Sequence, residues 1–174
     1  MTLVERCARI ELLVLDVDGV LTDGCIRYTD QGAEIKAFHV RDGSGLKLWT
    51  TQGKKAGIIT GRRSAIVQRR ADELGIASVV QGADKKQAAL VQMLASLGVG
   101  PEQTCAVGDD IVDVPVLRAV GLAVAVADAC SEAKEDAHYV TQAAGGRGAV
   151  REVIELIMRA QGAWQEIVAR CRKE

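Results

Sequence analysis

The sequence predicts an α/β fold with three layers, in which a Rossmann-like parallel sheet lies between two layers of helices. Apolar runs of strand length alternate along the chain with amphipathic stretches of helix length, which is typical of βαβ units. Aromatic residues form only 3% of the 174 residues, so Val, Ile, Leu and Ala must build the core, as they do in buried parallel strands. Glycine follows three of the helical stretches, at Gly75, Gly98 and Gly121, where a helix commonly ends.

Five apolar runs are predicted to be the strands of this sheet, and they cover residues 12–17, 56–60, 77–81, 104–107 and 122–126. The predicted helices cover residues 43–51, 64–74, 86–97, 114–120 and 131–136. Because helices separate the strands, consecutive strands are expected to run parallel through crossover connections. The carboxyl ends of the strands then share one edge of the sheet.

One segment departs from this alternation. Residues 24–40 contain two short runs, 25–29 and 34–38, on either side of Asp30-Gln31-Gly32. A glycine in a short turn between two such runs is typical of a β-hairpin. Since the segment follows the first strand directly, the hairpin is predicted to project above the carboxyl end of that strand.

The last part of the chain is predicted to be a tail followed by a helix. Gly145-Gly146-Arg147-Gly148 is a flexible segment, and residues 149–172 have helical character with a break near Gly162. The sequence has no internal repeat and no low-complexity segment. We therefore expect residues 1–174 to form a single domain, in which 24–40 is the hairpin and 145–174 the C-terminal tail and helix.

Composition and charge exclude several classes of function. A net charge of −1 without a basic tract offers nucleic acid no electrostatic footprint, and the longest apolar runs are too short to span a membrane. Residues 1–11 carry charges instead of the apolar centre of a signal peptide. Five cysteines without CxxC spacing fit reduced thiols better than disulfides or a zinc site. These features predict a cytoplasmic protein that binds neither nucleic acid nor membrane.

Polar residues stand just after the predicted strands. In chain order they are Asp16 and Asp18, then Thr60, Gly61 and Arg62, then Lys86, and then Asp109, Asp110 and Asp113. Ligands of an open parallel sheet bind beyond the carboxyl ends of its strands. We therefore expect these residues to converge on one site.

This set of groups predicts magnesium-dependent phosphate chemistry. Several carboxylates at one edge repel each other and need a cation, and an all-oxygen set suits Mg²⁺. The Thr60 hydroxyl can donate to one phosphoryl oxygen and Lys86 can neutralise another, while Gly61 lets backbone N–H groups approach. A carboxylate on the metal can form an aspartyl-phosphate, and Asp18 can then exchange protons with the leaving alkoxide and the attacking water.

The order of the motifs resembles the haloacid dehalogenase superfamily. Asp16-Val17-Asp18-Gly19 is followed by Thr60-Gly61, by Lys86 and then by Gly108-Asp109-Asp110 with Asp113. Lys85 is adjacent to Lys86, but Lys86 fits the spacing from Gln81-Gly82 better. The resemblance implies that Asp16 is the nucleophile, that Asp18 is the acid/base, and that Thr60, Gly61 and Lys86 bind the phosphate.

The same resemblance implies a magnesium site. Its ligands would be Asp16, Asp109 and the carbonyl oxygen of Asp18, and Asp110 or Asp113 would support them. The last two aspartates also fit an N-cap role, because Pro115 suits a first helical turn.

A closer resemblance, to the 3-deoxy-D-manno-octulosonate 8-phosphate phosphatases, extends over nearly the whole chain. The segments that carry it include residues 16–24, 36–38, 40–43, 59–62, 81–82, 107–113, 124–128 and 144–152. Members of that family have a β-hairpin in place of a mobile cap domain, and they form tetramers in which a neighbour walls each active site. The resemblance thus implies a capless haloacid dehalogenase-like fold, a homotetramer, and hydrolysis of a sugar-acid phosphate to the free acid and phosphate.

Two arginines match family positions that face the sugar acid. They are Arg62 and Arg70, and their spacing of eight residues would place them on one face of a helix, where they could bind the substrate carboxylate. The tail at residues 145–148 resembles the family segment that closes over an active site.

Three other interpretations are open at this point. A nonulosonate 9-phosphate phosphatase of the same capless group is one, although Arg62 after Thr60-Gly61 favours the octulosonate branch. A non-catalytic, phosphatase-like assembly module is another, and the intact set of Asp, Thr and Lys residues argues against it. A receiver-type signalling domain needs its phosphoacceptor on a later strand than its acidic pair, whereas no Asp ends the second or third apolar run.

Overall fold

The computed structural model describes residues 1–173; residue 174, the end of the predicted C-terminal range, lies outside the described residues. The strands are β1 (Leu12–Leu15), β2 (Arg27–Tyr28), β3 (Glu34–Ile35), β4 (Lys55–Thr60), β5 (Ser78–Gln81), β6 (Thr104–Gly108), β7 (Leu122–Ala125) and β8 (Tyr139–Val140). The helices are α1 (Leu3–Ala8), α2 (Val40–Thr51), α3 (Ala65–Leu74), α4 (Lys86–Leu97), α5 (Val114–Leu117), α6 (Ser131–Glu135), α7 (Ala149–Ala160) and α8 (Ala163–Cys171).

Within residues 1–173 the main sheet has six strands in the order β5-β4-β1-β6-β7-β8, and every pair of neighbours in it is parallel. The helices α1, α2 and α8 pack against α7, and α3 contacts α2, while α4, α5 and α6 form a second group. The predicted α/β, three-layer fold is therefore confirmed. Strand β1 lies near the centre of the sheet, between β4 and β6.

The central strand is held by an aliphatic core. Leu12, Leu13 and Leu15 are fully buried because helices cover both faces of a parallel sheet. Helix α7 contributes Val153 and Ile154, which are also fully buried. Burying each such side chain contributes roughly 1.5–3 kcal/mol, so this core fixes the end of β1 and the residues that follow it.

The hairpin is present but shorter than predicted. Its strands pair antiparallel through Arg27 with Ile35 and Tyr28 with Glu34, whereas the sequence predicted five residues on each side. Helix α2 begins at Val40, so the predicted hairpin range ends one residue inside the helix. A two-stranded hairpin that projects from the molecule has no second layer to extend its pairing.

Two elements were missed and one was predicted too long. The missed elements are α1 and β8, and α5 ends at Leu117 rather than at residue 120. Gly121 consequently does not end a helix; its N–H donates instead to the Pro101 carbonyl at 2.8 Å. Gly75 and Gly98 do end α3 and α4 in the left-handed conformation.

The tail before α7 packs against the loop that follows β1. The N–H of Gly145 donates to Asp128 Oδ1 at 2.8 Å, and the N–H of Gly146 donates to the Val20 carbonyl at 2.9 Å. A Cβ atom at Gly145 would overlap the carbonyl of Gly19, so only glycine allows this approach. The break expected near Gly162 separates α7 from α8. Among residues 1–173, no helix is both long enough and apolar enough to cross a bilayer.

Candidate active site

Two neighbouring strands bring the key aspartates together. Asp16 follows β1 and Asp109 follows β6, and these strands pair parallel with Leu15 opposite Val107. The N–H of Asp16 extends the ladder by donating to the Val107 carbonyl at 3.2 Å. One carboxylate oxygen from each of Asp16, Asp109 and Asp113 lies within 4.8 Å of the others.

A cavity of about 370 Å³ opens above this edge of the sheet. Of the residues predicted for the site, it is lined by Asp16, Asp18, Thr60, Gly61, Arg62, Lys86, Asp109 and Asp110. Ala83, Asp84 and Val112 also line it, and sequence reasoning missed these three. They follow strand ends or lie beside a predicted residue, so their expected position at the same edge of the sheet could have indicated that they line the cavity.

Lys86 is buried between two carboxylates. Its Nζ lies 3.0 Å from Asp16 Oδ2 and 2.7 Å from Asp113 Oδ1. Burial by itself lowers the pKa of the ammonium, but the charges of Asp16 and Asp113 outweigh it, so the pKa of Lys86 is raised. Lys86 is therefore a fixed positive charge beside Asp16.

Asp113 supports the site from behind the cavity. Its Oδ2 accepts from the N–H groups of Asp109 at 3.0 Å and Asp110 at 3.3 Å, while its Oδ1 accepts from Lys86. Asp110 caps a short 3₁₀ turn, Ile111–Asp113, by accepting from the Ile111 N–H at 2.8 Å. These bonds fix the loop that presents Asp109 to the cavity.

The carboxylates carry more negative charge than Lys86 can balance. Burial first, and the neighbouring Asp113 next, raise the pKa of Asp16 to about 6. Burial, Asp113 and Asp16 raise the pKa of Asp109 to about 7. The Oδ1 atoms of Asp16 and Asp109 are buried and find no hydrogen-bond partner within residues 1–173. A divalent cation would satisfy both oxygens, so the donor set fits one.

Gly19 makes room for Asp109. Its φ is 98°, in the left-handed region that glycine tolerates, and a Cβ atom there would overlap the Asp109 carboxylate. The turn of Asp16-Val17-Asp18-Gly19 therefore brings its backbone directly against the second acidic strand end.

Asp18 contacts the hairpin rather than the other aspartates. Its Oδ1 accepts from Lys36 Nζ, and its Oδ2 lies 3.6 Å from Arg62 Nε. The sequence indicates Lys36 only as part of a family segment, because contacts between a hairpin and a strand end are not visible in a sequence pattern.

The sequence of this chain is similar to those of known proteins. A family model described as haloacid dehalogenase-like hydrolase matches residues 73–154. A 3-deoxy-D-manno-octulosonate 8-phosphate phosphatase of Yersinia pestis is 50% identical over 91% of this chain and 84% of its own length. The Escherichia coli protein of the same name is 47% identical over 94% of this chain and 87% of its own. The chain belongs to this family of phosphatases.

Solved structures of the family are also similar. The Moraxella catarrhalis phosphatase, in complex with a magnesium ion, a phosphate ion and a KDO molecule, has a TM-score of 0.94 at 42% identity, with 96% of both chains covered. The cobalt-bound Haemophilus influenzae phosphatase has a TM-score of 0.87 at 41% identity, with 90% of this chain and 92% of that chain covered. These matches confirm the haloacid dehalogenase-like fold predicted from the motifs, and they favour the octulosonate interpretation over the alternatives.

Arg70 does not join the active-site cavity of its own chain. It lines a separate cavity of about 390 Å³ together with Lys36 and Phe38, lies over the Phe38 ring at 5.7 Å and pairs with Glu73 at 3.1 Å. The expectation that Arg62 and Arg70 share a helix face is wrong, because α3 begins only at Ala65. Arg62 lies in the loop before that helix and lines the cavity above the edge of the sheet.

Proposed function

We propose that this chain is a magnesium-dependent phosphatase that hydrolyses 3-deoxy-D-manno-octulosonate 8-phosphate to the free sugar acid and inorganic phosphate. The observation that carries the proposal is the convergence of Asp16, Lys86 and Asp109 at one end of the sheet. Its close similarity to the octulosonate phosphatases, one of them solved with magnesium, phosphate and KDO, supports the substrate.

Asp16, Asp109 and the Asp18 carbonyl are the residues that would hold the metal. The two unpartnered carboxylate oxygens and the raised pKa values of Asp16 and Asp109 support this assignment. When bound, Mg²⁺ supplies charge neutralisation and polarises a phosphoryl oxygen. Asp113 stays bound to Lys86 and to two backbone N–H groups, so its part in the site is to hold Asp109 in place.

The phosphoryl group is bound by residues of β4 and α4. Thr60 is buried at the end of β4 and lines the cavity, where its hydroxyl can donate to a phosphoryl oxygen. Apart from Gly61 and its two chain neighbours, no described residue has an atom within 4 Å of a Cβ placed on Gly61, so the backbone there is accessible from the cavity. Lys86 adds a positive charge beside the nucleophile, which stabilises the charge that develops during transfer.

The reaction proceeds in two displacements. A carboxylate oxygen of Asp16 attacks phosphorus, the bond to the sugar oxygen breaks, and the leaving alkoxide takes a proton from Asp18. Asp18 then takes a proton from water, whose oxygen attacks the aspartyl-phosphate and releases phosphate. Lys36 holds Asp18 beside the cavity, and Arg62 lines the same cavity, where it can bind the sugar carboxylate.

The nucleophile is tested with Asp16→Asn. The amide keeps the size of the side chain but removes the attacking charge, so kcat for octulosonate 8-phosphate should fall by at least about 10³-fold. Phosphate release is measured with a panel that includes a nonulosonate 9-phosphate. Turnover of the variant at the rate of the unchanged protein would reject Asp16, and a clear preference for the 9-phosphate would reject the substrate.

The same proposal includes an assembly. Ile26, Tyr28, Ile35 and Val40, on the hairpin and the start of α2, are 49%, 61%, 47% and 77% exposed, and an apolar projection of this kind favours contact with other copies of the chain. A neighbouring subunit would wall the open cavity, and it could bring this chain's Arg70 to another active site. We therefore propose a cytoplasmic homotetramer of a single capless domain, whose mass in solution is measured by light scattering.

A further inference from the structure

The hairpin places two charged residues behind Asp18. Glu34 lies on β3, and Lys36 Nζ lies 3.5 Å from Glu34 Oε1 while it contacts Asp18. The Lys36 side chain is only 3% exposed. We call Asp18, Glu34, Lys36 and Arg62 the hairpin cluster, and its two carboxylates balance its two cations.

Arg62 is held at a distance from Asp18. Its Nε is 3.6 Å from Asp18 Oδ2, which is longer than a hydrogen bond, and this buried Nε finds no hydrogen-bond partner in the described part of the chain. Its Nη2 donates instead to Glu34 Oε1 at 3.1 Å and to the Tyr28 hydroxyl at 3.3 Å. The guanidinium is thus fixed on the side of the hairpin.

Glu34 is itself fixed by Ser64. The Ser64 hydroxyl donates to Glu34 Oε2 at 2.6 Å. Ser64 is the N-cap residue of α3, where serine usually accepts a hydrogen bond from the helix, but within residues 1–173 its side chain makes no such bond. The hydrogen bond from Ser64, with a smaller contribution from Arg62, lowers the pKa of Glu34. Glu34 is therefore a charged and immobile acceptor.

We propose that Glu34 is a positioning residue of the active site, which holds Arg62 off Asp18 so that one carboxylate oxygen remains accessible. Lys36 already occupies Oδ1 of Asp18. Without the charge of Glu34, the guanidinium closes on Oδ2, since arginine and carboxylate pair strongly. Both oxygens of Asp18 are then taken by cations and cannot reach an alkoxide or a water. This inference rests on the proposed function, specifically on the role of Asp18.

The experiment is a double-mutant cycle with p-nitrophenyl phosphate and Mg²⁺. This substrate has no carboxylate, but its aspartyl-phosphate still needs Asp18 to activate water. Glu34→Gln keeps the acceptor for Ser64 and removes the charge, so kcat should fall about tenfold with KM changed less than about twofold. In the Arg62→Ala background the same substitution should change kcat by less than about twofold, because no guanidinium remains to close.

Glu155→Gln is the matched control. Glu155 also accepts from two arginines, Arg151 at 2.8 Å and Arg159 at 3.1 Å, but it lies on α7 and outside the cavity lining. Its kcat should equal that of the unchanged protein. A purely structural role of Glu34 would lower thermal stability without any dependence of kcat on Arg62.

The result that overturns the proposal is a kcat for Glu34→Gln equal to that of the control, or an equal loss with and without Arg62. If Glu34→Gln does not fold, Ser64→Ala frees the same carboxylate and should give a smaller, Arg62-dependent loss of about threefold; an Arg62-independent effect rejects the proposal. Failure to hydrolyse octulosonate 8-phosphate, with p-nitrophenyl phosphate still hydrolysed, would reject the proposed substrate and leave this cycle interpretable.

Discussion

Two charged clusters border the cavity, and they differ in how their charges are balanced. The strand-end cluster of Asp16, Asp109, Asp113 and Lys86 has three carboxylates around one ammonium, and the pKa of Asp109 is raised to about 7. The hairpin cluster has two carboxylates and two cations, and the pKa of Glu34 is lowered. The excess of negative charge in the strand-end cluster is typical of a cation site. The equal charges of the hairpin cluster are typical of residues that hold one another in position.

Replacing the lysine of each cluster should give the largest difference between the two clusters in the free energy of unfolding. Lys86→Met leaves Asp16 and Asp113 buried without a counter-charge, so the free energy of unfolding without Mg²⁺ should fall by about 3 kcal/mol at pH 8. Lys36→Met should cost about 1 kcal/mol, because Arg62 remains beside Asp18. Urea unfolding measures both, and equal losses would contradict the difference between the clusters.

The next largest effect concerns the excess negative charge of the strand-end cluster. This excess should make the stabilisation of the folded protein by Mg²⁺ depend on pH. The folded-state pKa values of Asp16, about 6, and Asp109, about 7, lie above the ordinary value of 3.8. Between those values the folded protein binds more protons than the unfolded chain, so its stability without metal falls as pH rises. Mg²⁺ must displace these protons, and its stabilising effect should be about 2 kcal/mol larger at pH 8 than at pH 5.

Thermal unfolding with and without Mg²⁺ at the two pH values measures this difference. Asp109→Asn serves as the control, since it removes one of the titrating groups and should flatten the dependence. The same gain at both pH values in the unchanged protein would contradict the imbalance.

The smallest expected effects are two changes in the free energy of unfolding that have opposite signs. Without Mg²⁺ at pH 8, Asp109→Asn removes one of several crowded carboxylates and should raise the free energy of unfolding by about 1 kcal/mol. Glu34→Gln removes a balancing charge and should lower it by about 1 kcal/mol. Chemical denaturation of the two variants side by side provides the measurement, and destabilisation by both would refute the assigned charge balance.

The strand-end cluster follows closely from the sequence. Asp16 stands near the end of the first apolar run and Asp109 follows the fourth run after one glycine, and the geometry of parallel strands brings such residues to one edge. Thr60 and Lys86 obey the same rule, and the structure places all four around one cavity. The fold class was predictable for the same reason, because alternating strands and helices leave few arrangements.

The hairpin cluster could not be predicted in this way. Glu34 and Lys36 reach Asp18 and Arg62 through contacts between distant segments, and no periodicity encodes them. The start of α3 at Ala65 agrees with the predicted start to within one residue. Arg62 therefore precedes the helix, and its spacing of eight residues from Arg70 does not place the two on a shared helix face. Helix α1 did leave a signal, since Thr2 and Glu5 form a capping box, whereas β8, with two residues, is too short for any pattern.

The close approach of Gly145 to Gly19 connects the C-terminal part of the chain to the loop that follows β1. With the carbonyl of Gly19 in the way of any side chain at position 145, a single added methyl group would push on the loop that carries Asp18. The tail therefore sets how closely that loop can approach residues 145–148. A change in the last quarter of the chain can therefore displace Asp18 through the backbone alone, without touching a charged group.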